Sequence, residues 1–292
     1  MTSHPQTVSS FTNVTLAGVE VALVSRERTA EIMLEAVRLR RAGQLARPLI
    51  STSMNGQTMF ETNRSPEMRA LFNAFDLVSM DGQPAVTISR FWPQSFPERV
   101  ATTDLIHDMM AAGAPLAVRH YLLGASAQVL EKAKAEVGKQ HPDAIICGSH
   151  HGYVDMADLP AIVDDIRASG AEVLWVCMGV PKEQRLSLEL ATRLARDIAV
   201  LKTGGGVLDF LSGEKSRAPM ILQKIGMEWA YRLSLEPGRL FGRYWRTNPT
   251  ALQILLSTKP RYQIVHWVGR VTAAPAVSDS GVNEAVRVSA PL

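Results

Sequence analysis

The stretch "FDLVSMDGQPAV", Phe75 to Val86, decides how this chain is read. An apolar run, Leu77-Val78-Ser79-Met80, stops at Asp81-Gly82, and a helix-compatible segment follows. Such a run bounded by Asp-Gly predicts a buried strand ending in a turn. Asp81 then stands at the carboxyl end of a strand, where open α/β sheets place their ligands. Taken alone the pair reads first as a turn, because Asp and Gly are common turn residues. Chemistry at Asp81 has to be argued from its neighbours.

Outward from this stretch, strand and helix patterns alternate. Upstream, "VSRERTAEIMLEAVRLRRAG" has helical spacing, with Ser25 as a cap and Gly43 as a stop; "RPLISTSMN" reads as a strand running into a polar turn; and "SPEMRALFNAF" is a short helix with Pro66 in its first turn. Downstream, the strands "RHYLLG", "DAIICG", "EVLWVCMG" and "IAVLKTGGG" are interleaved with the helices "SAQVLEKAKAEVGKQ", "LPAIVDDIRASG" and "PKEQRLSLELATRLAR". Continuous apolar strands separated by helices predict a Rossmann-like, mostly parallel sheet with helices on both faces. That catalytic domain is expected over residues 1–216.

The character changes near Arg217-Ala218-Pro219, after which residues 217–272 read as helices without strand alternation. This appendage holds Trp229, Trp245 and Trp267 with Tyr231, Tyr244 and Tyr262. Between Pro237 and Val277 the charged residues are all basic: Arg239, Arg243, Arg246, Lys259, Arg261 and Arg270. The small, polar stretch 273–292 reads as a disordered tail.

At 292 residues the chain can bury a sizeable core, and its net charge of +3 is too small to signal a partner by itself. No nucleic-acid partner is expected. Cys147 and Cys177 each lie in an apolar run, which argues against a disulfide framework and for a reducing compartment. The N-terminus has neither a basic start nor an apolar h-region, and no run approaches the ~20 apolar residues a membrane span requires. A cytoplasmic protein, able to touch a membrane surface, is the expectation.

Several motifs carry candidate chemistry. "KTGGGVLDFLSG" sets Gly204, Gly205 and Gly206 after a strand, where glycine lets a backbone approach a phosphate. The third glycine of the dinucleotide fingerprint is missing, and a lone triple glycine is most often a plain loop. Asp209 could bond a base or ribose, or cap a helix. "CMGVPKEQR" puts Lys182 at a helix start suited to an anion, or simply to a solvated first turn. "FPERVATTDL" supplies Arg99, with Thr102 or Thr103 as the cap of a helix beginning near Asp104. "GSHHGYVD" offers His150, His151 and Asp155, but no second cluster at ligand spacing supports a metal site. Asp-x-Asp is absent, as is the nucleophile elbow G-x-S-x-G. Individually these signals are weak. Asn55, Asp81, Gly179 and Gly204 nevertheless all follow apolar strands, so they gather at one sheet edge.

Together these residues resemble the WecG/TagA/CpsF family of bacterial glycosyltransferases. The likeness rests on Ser53-Met54-Asn55, Asp81-Gly82, Glu98-Arg99-Val100 with Thr103-Asp104-Leu105, and Tyr121 to Gly124. It continues through His151-Gly152-Tyr153, Gly179-x-Pro181-Lys182, Gly204 to Gly213, Arg217-Ala218-Pro219, and Glu228-Trp229-x-Tyr231-Arg232 with Glu236-Pro237. It covers roughly residues 20 to 246. The resemblance implies inverting, metal-independent and cofactor-free transfer of a sugar from a UDP-sugar to a polyprenyl-diphosphate-linked sugar, at the inner face of the cytoplasmic membrane. It also implies Asp81 as general base, Asn55 and Arg99 as active-site residues, and Tyr153 and Asp209 in nucleotide motifs. The basic appendage is implied to dock on an anionic membrane surface and help complete the site, with Arg232, Arg239 and Arg243 at the membrane or the diphosphate.

The chain departs from the family pattern in three places. Ser53 replaces a threonine and keeps its hydroxyl; "RVATTDL" lacks a turn glycine; and Glu183-Gln184 exchanges the usual Gln-Glu, so these two are joint candidates. A nicotinamide oxidoreductase on the same architecture and a non-catalytic nucleotide- or lipid-binding module are the competing readings. The transferred sugar is not legible, since N-acetylmannosamine, its uronic acid and glucose all occur in the family. The oligomeric state is equally closed, and a homo-oligomer stays open.

Overall fold

A computed structural model describes residues 9–155, 157–219, 221–222 and 226–267. Strands β3 (Leu49–Met54), β4 (Leu77–Met80), β5 (Arg119–Gly124), β6 (Ile145–His150), β7 (Val173–Cys177) and β8 (Val200–Thr203) form where the apolar runs predict them. With β1 (Ser9–Leu16), β2 (Val19–Ala22) and β9 (Tyr262–Trp267) they make one nine-stranded sheet in the order β6-β5-β7-β8-β3-β4-β2-β1-β9. From β6 to β2 every pairing is parallel, while β1 runs antiparallel to both β2 and β9. The mostly parallel α/β architecture is thereby established.

Helices α1 (Arg26–Arg41), α5 (Thr102–Gly113), α6 (Ala127–Gln140) and α9 (Val207–Leu211) contribute to the core on one face of the sheet. Helices α2 (Gly56–Arg64), α3 (Pro66–Asn73), α4 (Gln83–Ser89), α7 (Leu159–Ser169) and α8 (Lys182–Arg193) contribute to the core on the other. Central strands buried on both sides explain the unbroken apolar runs such as Val173–Cys177, all of whose residues are buried. From β3 the chain proceeds to β4 on one side, whereas β8 arrives from the other side and pairs with β3. This reversal between β3 and β8 is the topological switch point at which open sheets form a crevice.

Three sequence expectations need correction, and one pair of strands had no sequence reading. The N-terminal residues form a hairpin, β1–β2, turning through Ala17 (φ 50°) and Gly18 (φ 75°). Two left-handed residues suit the two-residue hairpin turn. The "polar turn" after β3 is the start of α2: Asn55 Oδ1 accepts from the Gln57 and Thr58 N–H groups in a capping box. Helix α5 starts at Thr102 after Ala101, with no side-chain cap from either threonine. The segment after 216 holds helices α10 (Glu228–Leu235) and α11 (Pro237–Ser257), but it ends in strand β9, which pairs with β1. The expected tail, 273–292, lies outside the described residues, as does the Arg239 side chain.

Candidate active site

Asp81 follows β4 directly, its N–H donating to the Met54 carbonyl. Its Oδ1 accepts from Arg99 Nε at 2.8 Å and its Oδ2 from the Thr102 N–H at 3.4 Å. Arg99 reaches the other way as well: its Nη1 donates to Glu228 Oε2 at 2.6 Å, and Glu228 Oε1 accepts from Arg232. Four alternating charges therefore run from the strand edge into α10. Burial alone would lower the Arg99 pKa, yet Asp81 and Glu228 together raise it above the ordinary arginine value. Burial likewise opposes the Glu228 charge, but Arg99 and Arg232 hold its carboxyl below the usual range.

Two cavities flank this chain of charges. The larger, about 340 Å³, has Asn55, Asp81, Arg99, Arg232 and Arg243 as polar lining, and Met59, Met80, Trp229, Ala251, Leu252 and Leu255 as apolar lining. The smaller, about 140 Å³, lies at the switch point against Ser53, Thr102, Glu183 and the loop Gly204-Gly205-Gly206. Asn55, Asp81, Arg99 and Arg232 line both. Asp81 thus belongs to the walls of both cavities.

The glycine loop has physical requirements of its own. A Cβ on Gly204 would fall 2.4 Å from Cys177 Sγ, and Gly205 has φ 57°, a left-handed conformation. Glu183 fixes this loop: its Oε2 accepts from the N–H groups of Met178 (3.2 Å), Gly179 (3.0 Å) and Gly205 (2.8 Å). Burial pushes the Glu183 carboxyl up, against the opposing pull of these amides and of Lys202. Gln184 is buried beside it, with Nε2 donating to Thr52 Oγ1 at 3.3 Å. The exchanged pair thus divides its work, Glu183 tying loops at the cavity wall and Gln184 anchoring helix to sheet.

Other expected residues stand apart. Tyr153 is 77% exposed, and Lys182 Nζ donates to the Gly152 carbonyl at 3.1 Å; neither lines either of these two cavities. Asp209 is engaged by Lys215 Nζ at 2.5 Å and also lies outside both linings. Arg232 lies over the Phe210 ring and Arg243 over that of Tyr244. His150 Nδ1 meets the His151 carbonyl oxygen, and among the described residues no group of three or more His, Cys, Asp or Glu side chains is arranged to hold a metal. Two participants escaped the sequence reading. Glu228 was seen only as part of a motif, and its partner Arg99 lies 129 residues away, beyond any periodicity. Lys202 was read as a strand residue; a lysine inside the apolar run "IAVLKT" was the available signal.

No helix among the described residues is long and apolar enough to cross a membrane. A family model, that of the glycosyl transferase WecG/TagA/CpsF family, matches residues 14–264.

Proposed function

The chain belongs to the WecG/TagA/CpsF family of glycosyl transferases, and from that premise we propose that it moves a sugar from a UDP-sugar to a polyprenyl-diphosphate-linked sugar with inversion. The observation that carries this reading is the pair of cavities meeting at Asp81. The smaller offers hydroxyls, a glycine loop and Arg99, groups suited to a diphosphate. The larger joins an apolar wall to three arginines, Arg99, Arg232 and Arg243, suited to a lipid-linked anion.

In the transfer, the acceptor oxygen bonds to the anomeric carbon as the bond from that carbon to the diphosphate breaks. The electron pair of the broken bond leaves on the diphosphate, and the acceptor hydroxyl proton passes to Asp81. Arg99 orients the carboxylate through Nε, so that Asp81 keeps lone pairs for that proton. Positive charge for the leaving group comes from Arg99, Arg232 and the N–H groups of the glycine loop. Asn55, whose Oδ1 is committed to the α2 cap, lines both cavities.

Helix α11 supports membrane docking. Phe241, Trp245, Leu252 and Leu256 are exposed and fall on one side of the helix by its period, with Arg246 exposed on its flank, while Arg243 lies on the opposite side in the lining of the larger cavity. Aromatic rings and a flanking arginine together suit an anionic interface at the cytoplasmic side. The test of the whole reading is a panel of UDP-sugars offered with a short-chain lipid-diphosphate-sugar, with UDP release measured. Release that needs both substrates supports transfer; thermal protection by a nicotinamide dinucleotide and not by UDP would favour the oxidoreductase.

A further inference from the structure

Lys202 is fully buried in β8, at the middle of the sheet, on the face it shares with Ser51 and Ser53 of β3. Its Nζ donates to Ser53 Oγ at 2.8 Å, and among the described residues no carboxylate is in ion-pair contact with it. An ammonium held in this way opposes folding, because burial removes water that a single hydroxyl does not replace. A methionine of similar length would pack there without that penalty. The charge therefore calls for an explanation outside stability.

Ser53 supplies one. Its hydroxyl has one hydrogen and two lone pairs, and Lys202 occupies a lone pair. Ser79 Oγ and Thr102 Oγ1 each stand 3.1 Å away, and Ser53 itself lines the smaller cavity beside the glycine loop. A hydroxyl that accepts from an ammonium becomes a stronger donor through its own O–H. That hydrogen can turn from its neutral neighbours to an anionic oxygen entering the cavity. Resting on the UDP-sugar reading above, we propose that Lys202 is a positioning residue whose ammonium, acting through Ser53, brings positive charge to the departing diphosphate.

The charged and titratable groups that face Lys202 are Glu183 from α8, Asp81 after β4 and Cys177 on β7. Burial lowers the Lys202 pKa to about 8, although all three groups pull it upward. Glu183 is taken up by three backbone N–H groups and Asp81 by Arg99, and burial pushes the Cys177 thiol well up. Neither carboxylate is thus an exclusive partner for the ammonium, which leaves its charge available to the cavity. The bonds made and broken are those of the transfer itself; Lys202 keeps its proton throughout.

The test uses the full chain with Lys202→Met and Lys202→Arg. Binding of UDP and of uridine is measured by calorimetry, and turnover is followed from pH 6 to 9.5. Lys202→Met is expected to bind uridine unchanged and UDP about tenfold more weakly, the scale of one charge-assisted hydrogen bond. Its kcat should fall on the order of 10²-fold, the scale of one lost oxyanion donor, with the acceptor KM unmoved. In the unsubstituted chain turnover should decline as pH rises through about 8, where the ammonium loses its proton. That limb should vanish in Lys202→Met and move beyond the range in Lys202→Arg, which should recover part of the UDP affinity. Unchanged UDP affinity and an unchanged pH profile in Lys202→Met would overturn the proposal alone, as would equal losses of UDP and uridine binding. No UDP binding by the unsubstituted chain would overturn the donor reading and the proposal with it.

Discussion

Arg99 donates to Glu228 across 2.6 Å, so α10 is fastened to the same side chain that holds Asp81. Both partners are largely buried, and each carboxylate takes a separate nitrogen of one guanidinium fork. Removing one partner of such a pair leaves an uncompensated charge, which is costlier than a surface bridge. Glu228→Gln should lower unfolding stability by about 3 kcal/mol in denaturant titrations. Turnover should fall too, as Arg99 loses one of its two anchors. The pH sign follows from the lowered Glu228 pKa: the contribution is present above the unfolded value, 4.5, and is lost as pH falls through the folded one. Wild-type stability should therefore drop in acid more steeply than that of the variant. Superimposable unfolding curves would mean that the pair does not fasten α10.

Lys202 makes the opposite thermodynamic prediction. Its pKa is lowered from 10.5 to about 8, so between these values the unfolded chain binds a proton that the folded chain lacks. Stability should rise with pH across that window, and below about 8 the full penalty of roughly 3 kcal/mol persists. At pH 7 Lys202→Met should melt no lower than wild type, and above pH 10.5 the advantage should be gone. A variant that melts well below wild type at pH 7 would make the lysine a stabilising group.

The exposed side of α11 should carry membrane affinity. Phe241 and Trp245 stack on one another at 6.0 Å, at the solvent-facing surface of the helix. Phe241→Ser with Trp245→Ser should release the protein from anionic vesicles in sedimentation, while turnover on a short, water-soluble acceptor stays within about twofold, since surface substitutions of this kind barely perturb folding. Sedimentation equal to that of wild type would assign these rings another role.

The features legible in the sequence were those written in continuous apolar runs and in punctuation. β3 to β8 announced themselves as short, mostly apolar runs closed by Asn, Asp or Gly; Asp81 and Gly204 to Gly206 followed from the strand ends, and Arg99 from its motif and the family resemblance. Strands β1, β2 and β9 were missed because each is short of a continuous apolar run, as in "YQIVHW", where five of six residues are not buried. Asn55 was read as a turn because the residue that caps a helix is also one that turns a chain. The link between Arg99 and Glu228 has no local signature at all. Tyr153, Lys182 and Asp209 came from resemblance and motif, and lie outside both cavities.

Charge neutralisation in the proposed transfer falls to arginines, a hydroxyl backed by Lys202, and backbone N–H groups. Turnover should accordingly survive EDTA. Loss of activity on chelation with recovery in magnesium or manganese would redirect attention to His150, His151 and Asp155.

The central claim is that Asp81 is the base at the meeting point of the two cavities. Asp81→Asn keeps the size and turn propensity of the residue while removing its basicity. With both substrates saturating, kcat for UDP release should fall on the order of 10²–10⁴-fold, with UDP affinity close to wild type and a melting temperature lowered no further than that of Glu228→Gln, since each variant removes one of the two carboxylates on Arg99. A variant that turns over at the wild-type rate would contradict the account and return Asp81 to the turn formers.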